Sequence, residues 1–133
     1  TGIEESKIIA NQILIKKIIP DLIISSGAKR ALHTIKIISK IIKYSKNIKI
    51  DNNIYKADYN NLLEIIKNID NSINTLMITG HNPSLFDLTK YISKKSIHIF
   101  PTCTMVSISF KTKNWLFLEK ANLNFIIYPD LFK

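Results

Sequence analysis

Arg30 and His81 are the residues of this chain best suited by type and position to do chemistry. Arg30 is the only arginine, against eighteen lysines. A guanidinium is a planar fork that can hold a phosphate through two hydrogen bonds, whereas a lysine ammonium is a point charge. Arg30 follows Asp21-Leu-Ile-Ile-Ser-Ser26-Gly27, an apolar run broken by a turn. His81 follows Thr75-Leu-Met-Ile-Thr79-Gly80 and precedes Asn82-Pro83-Ser84, so it too sits where an apolar run stops. Both places read as strand, tight turn, helix. In a parallel sheet, both turns lie on the carboxyl edge, where ligands bind and where helix N-termini offer free N–H groups to anions. The chemistry this points to is phosphate recognition.

Other side chains near these turns are secondary candidates. The Ser26 hydroxyl can cap the helix that follows it. His33 lies one turn beyond Arg30 and reads as a surface neighbour of the site or a substrate contact. Thr102, Cys103 and Thr104 open a strand and can lend N–H or hydroxyl groups to an anion. Cys103 reads as a buried thiol and not as a nucleophile, because no histidine or acid is placed by sequence to activate it. His98 sits in a loop and reads as structural. No His/Cys/Asp grouping has metal-ligand spacing, and no glycine-rich phosphate loop is present, so neither a metal nor a cofactor is expected.

The elements that must position these residues follow from apolar spacing. Ile3 to Ile19 repeats as a helix, acidic in its first turn and basic in its last, with Pro20 as its stop. Residues 21–26 form a buried strand and Ala28 to Tyr44 a second helix. Asn47 to Asn53 holds a short extended piece and a loop, and Tyr59 to Ile69 is a third helix. The Thr75–Thr79 strand leads to a fourth helix, Leu85 to Ile92, with Pro83 in its first turn. Cys103 to Phe110 is a β-branched strand; Lys111 to Asn114 turns into Trp115–Leu118, an expected edge strand. Leu123 to Lys133 is an extended tail. Alternation of strands and helices predicts one α/β domain, a three-layer sandwich with a mostly parallel central sheet.

Composition narrows the function. Net charge is +9, but the lysines are scattered through an Ile/Lys/Asn-rich sequence instead of clustering with arginines and aromatics. That argues for compositional bias and against nucleic acid as a partner. No apolar run approaches the ~20 residues that span a bilayer, and the opening residues do not read as a signal peptide. With Cys103 as the single cysteine no internal disulfide can form, which fits a cytoplasmic protein.

The motifs also match a known family in order and spacing. Asp21-Leu-Ile-Ile-Ser-Ser-Gly-Ala-Lys-Arg30-Ala-Leu-His-Thr34 resembles the Ser-Ser-Pro-x-x-Arg-Ala-x-Gln-Thr segment of the histidine phosphatase (phosphoglycerate mutase-like) superfamily. Gly80-His81-Asn82-Pro83 resembles its Gly-His-Asn-Pro segment. Phe100-Pro101-Thr102-Cys103, Thr1-Gly-Ile-Glu-Glu-Ser6, Trp115 and the tail with Pro129 resemble the small bacterial SixA-type branch. The resemblance implies a metal-independent phosphatase that hydrolyses phosphohistidine on a protein, such as a histidine-containing phosphotransfer domain, through its own phosphohistidine intermediate. It implies a monomer with no cofactor. It assigns Arg30 as the second phosphate-holding arginine and His81 as the second histidine. Gly27 and His33 replace the family's usual Pro and Gln, and Ile54-Tyr55-Lys56-Ala57 is similar to its Leu-Tyr-x-Ala but brings no carboxylate. The family's nucleophile and first arginine belong to an Arg-His-Gly motif on a first strand, and this sequence has no such motif. The resemblance therefore implies a domain lacking its N-terminal strand, with the polypeptide continuing upstream of Thr1. The alternatives are a broader phosphomonoesterase and a phosphate-binding relative without catalysis.

Overall fold

A computed structural model describes residues 2–133; Thr1, the first residue of the Thr-Gly-Ile-Glu-Glu-Ser segment, lies outside the described residues. The order is α1 (Gly2–Ile15), β1 (Leu22–Ser25), α2 (Lys29–Ile41), β2 (Lys49–Ile50), α3 (Tyr59–Lys67), β3 (Leu76–Thr79), α4 (Ser84–Ser93), β4 (Met105–Ser109) and β5 (Asn122–Ile127). Short 3-10 turns follow β2 (Asn52–Ile54) and β5 (Pro129–Phe132).

Strand β1 lies between β2 and β3, parallel to both. Its alternation explains the layers. Ile23 faces a core made with Ile9 and Ile13 of α1 and Ile35 and Ile38 of α2. Ile24 faces the other way, into a core made with Leu62, Leu63 and Ile66 of α3 and Leu88 of α4. Helices α1 and α2 therefore cover one face and α3 and α4 the other, as a parallel sheet requires. Asp21 ties the strand starts together: its carboxylate accepts the N–H groups of Asn74 (3.0 Å) and Thr75 (2.9 Å). Strands β4 and β5 form a separate antiparallel pair.

Several boundaries differ from the sequence expectation. Helix α1 ends at Ile15, well before Pro20. Lys17 adopts the left-handed conformation (φ 56°), and the Ile18 N–H returns to the Ile13 carbonyl. Helix α2 closes the same way at Lys43 (φ 60°), with the Tyr44 N–H on the Ser39 carbonyl. These are Schellman-type ends in which lysine holds the place usual for glycine. Pro83 caps α4 instead of entering its first turn, and the Asn82–Pro83 peptide is cis. Trp115–Leu118 is not a strand. Its indole N–H bonds the Ile73 carbonyl (2.8 Å) and its backbone N–H bonds the Asn71 side chain (3.0 Å), so Trp115 serves as a clamp over the loop before β3. The partner of β4 is β5, taken from the expected tail, and that tail ends in a 3-10 turn.

Helix α3 opens on a capping box in which Asp58 and Asn61 each accept the other's backbone N–H. Asp58→Ala should lower stability by about 1 kcal/mol. Ile24→Ala, at a fully buried position, should cost about 2–5 kcal/mol. Urea unfolding of both variants measures this; equal losses would contradict the layered core.

Candidate functional site

The register of β1 with β3 builds the site. Ser25 pairs with Thr79, so the two chains leave the sheet side by side, one into Ser26-Gly27 and the other into Gly80-His81. The Ser26 N–H continues the ladder to the Thr79 carbonyl (3.0 Å). Two helices start just beyond. Nothing in a side chain caps the N-terminus of α2, so its first N–H groups remain directed at the carboxyl edge of the sheet.

Ser26 is fully buried, and its Oγ lies 2.8 Å from His81 Nε2. The same oxygen accepts the Ala28 N–H (3.1 Å). Ser26 thus does not cap α2, as the sequence suggested; Ala28 holds the cap position and Ser26 braces the histidine. The hydroxyl can donate a hydrogen bond to an unprotonated Nε2 or accept one from a protonated Nε2. His81 is further held through its backbone, whose carbonyl accepts the Ser84 hydroxyl (2.8 Å) and the Leu85 N–H (3.0 Å) at the start of α4. Its imidazole is half-buried.

Tyr55 completes the setting. Its ring meets the His81 ring at 5.2 Å with an interplanar angle of 79°, an edge-to-face contact. Tyr55 itself is exposed and follows the 3-10 turn anchored by fully buried Ile54. In the sequence, Ile54-Tyr55-Lys56-Ala57 stands out for its similarity to the family's Leu-Tyr-x-Ala and for bringing no carboxylate. The contact with His81 joins residues 26 positions apart in the chain, and no local pattern signals it.

Arg30 is exposed in the first turn of α2 and makes no ion pair among the described residues. Arg30, His33, His81, Thr102 and Cys103 all line one large cavity of about 1550 Å³. His33 and Thr102 are exposed on its rim. Cys103 is half-buried with a left-handed backbone (φ 60°). Burial and the nearby Glu5 carboxylate push its thiol pKa up, partly opposed by the Ser6 hydroxyl. His98 lies apart, bonded to Ser96 (3.2 Å). No group of three His, Cys, Asp or Glu that could hold a metal ion occurs among the described residues.

The turn glycines serve through size. Neither Gly27 nor Gly80 has a positive φ. A Cβ on Gly27 would collide with the Asn52 side chain, and one on Gly80 would come within 3.0 Å of Ile54. The 3-10 turn that carries Tyr55 is thereby packed close against both site turns.

No family model and no curated protein matches the sequence. Its fold does match solved structures. The chain is similar to the protein histidine phosphatase SixA determined in complex with tungstate, with a TM-score of 0.83 at 16% identity, covering 98% of this chain and 83% of that one. It is similar to a provisionally assigned phosphohistidine phosphatase SixA from Agrobacterium tumefaciens (TM-score 0.74, 22% identity, covering 96% of this chain and 79% of that one). A third neighbour, a provisionally assigned SixA from Nakamurella multipartitia, gives 0.78 at 14% identity, covering 96% and 81%. This is the three-layer α/β fold of the SixA-type, phosphoglycerate mutase-like proteins, as the motifs implied.

The raised Cys103 pKa gives a direct check. The thiol stays protonated near neutrality, so alkylation should be slow there and keep accelerating as pH rises past the ordinary thiol value of 9.0. A rate that levels off below pH 9 would show a reactive thiolate that this geometry does not provide.

Proposed function

We propose that this chain forms the phosphate-holding part of a metal-independent phosphatase that acts on phosphohistidine carried by a protein. The observation that carries the reading is the placement of Arg30 and His81 after adjacent parallel strands, with His81 braced by Ser26 at 2.8 Å. A phosphoryl group in transfer spreads negative charge over three oxygens, and catalysis consists largely of positioned donors. The Arg30 fork supplies two N–H donors from one side. His81 supplies another when its free ring nitrogen is protonated, and the open N-terminus of α2 adds a positive dipole end.

The reaction fits a two-step transfer. A histidine of the enzyme attacks phosphorus, and its N–P bond forms as the N–P bond to the substrate imidazole breaks. Water then attacks the enzyme phosphohistidine, releasing inorganic phosphate and restoring the histidine. The sequence contains no Arg-His-Gly triplet to supply that nucleophile; the reading places it on a strand preceding α1. Among the described residues Glu5 is the one carboxylate on the cavity wall, and it lies beside Cys103 and within 3.8 Å of Lys133 Nζ. An imidazole leaving group needs less protonation than an alkoxide, so phosphohistidine suits a site without a dedicated acid.

Support for a protein substrate comes from openness. Arg30, Asn82 and Pro83 are exposed, and the connections between β1, β3 and their helices are short turns without an inserted lid. One SixA neighbour was determined in complex with tungstate, a phosphate-like oxyanion, which supports reading this fold as an oxyanion binder.

Two measurements test the reading. Tungstate binding to the chain, followed by calorimetry, should weaken about 10-fold or more in Arg30→Ala and in His81→Ala, as expected for charged hydrogen bonds. In the polypeptide produced from its natural start, the same changes should slow release of phosphate from a phosphohistidine protein by about 100-fold or more. Near-normal turnover by His81→Ala would overturn the assignment. Binding without turnover in the unaltered polypeptide would leave a phosphate-binding protein and no enzyme.

A further inference from the structure

The hydrogen bonds around the His81 ring determine where it carries its proton. Ser26 is fully buried, so water does not reach its hydroxyl. Its Oγ has two partners among the described residues, the Ala28 N–H at 3.1 Å and His81 Nε2 at 2.8 Å. A backbone N–H can only donate, so Ala28 takes up a lone pair of the oxygen. The hydroxyl proton is left with one acceptor, the lone pair of Nε2. The adjacent hydroxyl does not alter this, because Ser25 Oγ donates to the Ser26 carbonyl (2.9 Å). A buried donor without an acceptor is costly, so the Ser26 hydroxyl is directed at Nε2. In a neutral imidazole one nitrogen accepts and the other carries the proton, which here is Nδ1.

Nδ1 has no partner among the described residues, and no buried side-chain nitrogen or oxygen among them lacks one. Nδ1 is therefore open to solvent, on a ring that lines the same cavity as Arg30. A half-turn of the ring would put a carbon in place of Nε2 and take away the hydroxyl's acceptor. Tyr55, packed edge to face on the ring at 5.2 Å, and the hydrogen bonds of Ser84 and Leu85 to the His81 carbonyl hold the orientation.

We propose that Ser26 is a positioning residue that sets the tautomer of His81: its buried hydroxyl donates to Nε2, and the neutral ring thereby presents an Nδ1–H to an oxyanion in the cavity. An unrestrained imidazole favours its proton on Nε2. In that form the ring would turn a bare lone pair toward the anion and repel it. Ser26 reverses the preference, so His81 offers a donor without needing a charge, and Arg30 supplies the positive charge. Delivery of this N–H to a phosphoryl oxygen rests on the phosphatase reading; the tautomer does not.

Long-range proton–nitrogen correlation NMR separates protonated from unprotonated ring nitrogens. The sample is the polypeptide produced from its natural start, with 15N-labelled histidine, at about pH 8.5, above the ordinary histidine value of about 6.5. His81, assigned by the signals lost in His81→Ala, should be protonated at Nδ1 and unprotonated at Nε2. In Ser26→Ala the tautomer ratio should move about 10-fold or more toward Nε2–H, and tungstate binding at the same pH should weaken about 10-fold. A ring protonated at Nε2 in the unaltered protein would overturn the proposal, and that result needs no variant to fold. So would a folded Ser26→Ala protein whose His81 keeps its proton on Nδ1. The spectrum involves no phosphate. An Nδ1–H ring without tungstate binding would reject the phosphate-holding reading alone; tungstate binding by an Nε2–H ring would reject the tautomer alone.

Discussion

The structure depends on the parallel pairing of β1 with β3. Four residue pairs, Leu22 with Leu76 through Ser25 with Thr79, set the register. A slip of one residue would turn Ile23 and Ile24 to the wrong layers and strip both cores of their central side chains. The same register sets Ser26 against His81. Core packing and site geometry are thus consequences of one alignment, and Asp21 locks it from the other end by accepting two N–H groups ahead of β3.

Around that alignment the site is held by groups from three separate stretches. Ser26 meets the His81 ring through a hydrogen bond, Tyr55 through an aromatic edge, and Ser84 fixes the backbone of the turn. A half-buried imidazole held in this way loses little freedom when a ligand arrives, which favours binding. Arg30 is the contrasting case. It stands exposed at a helix start, free to swing its fork toward an anion.

Much of the architecture was legible in local patterns. Apolar periodicity located the four helices, and the runs before Gly27 and Gly80 located β1 and β3. The strand–turn–helix grammar placed Arg30 and His81 at the same edge of one sheet. Patterns failed where long-range contacts decide. Trp115–Leu118 has strand-like composition, yet the indole N–H finds its partner at Ile73, and the segment lies across a loop instead of joining a sheet. Pro20 suggested a helix stop, but α1 closes earlier because Lys17 accepts a left-handed turn that leaves Ile18 free to pack on the core.

By itself the sequence determined the alternation of elements, the identity of the charged candidates and their position just past two strands, because side-chain periodicity and turn residues act locally. Only the tertiary structure decided that Ser26 braces His81 instead of capping a helix, that Tyr55 meets the same ring edge to face, and that β4 stands apart from β3 across an apolar trough. Those relations join residues tens of positions apart. Strand register and layer packing set them, and no spacing along the chain encodes either.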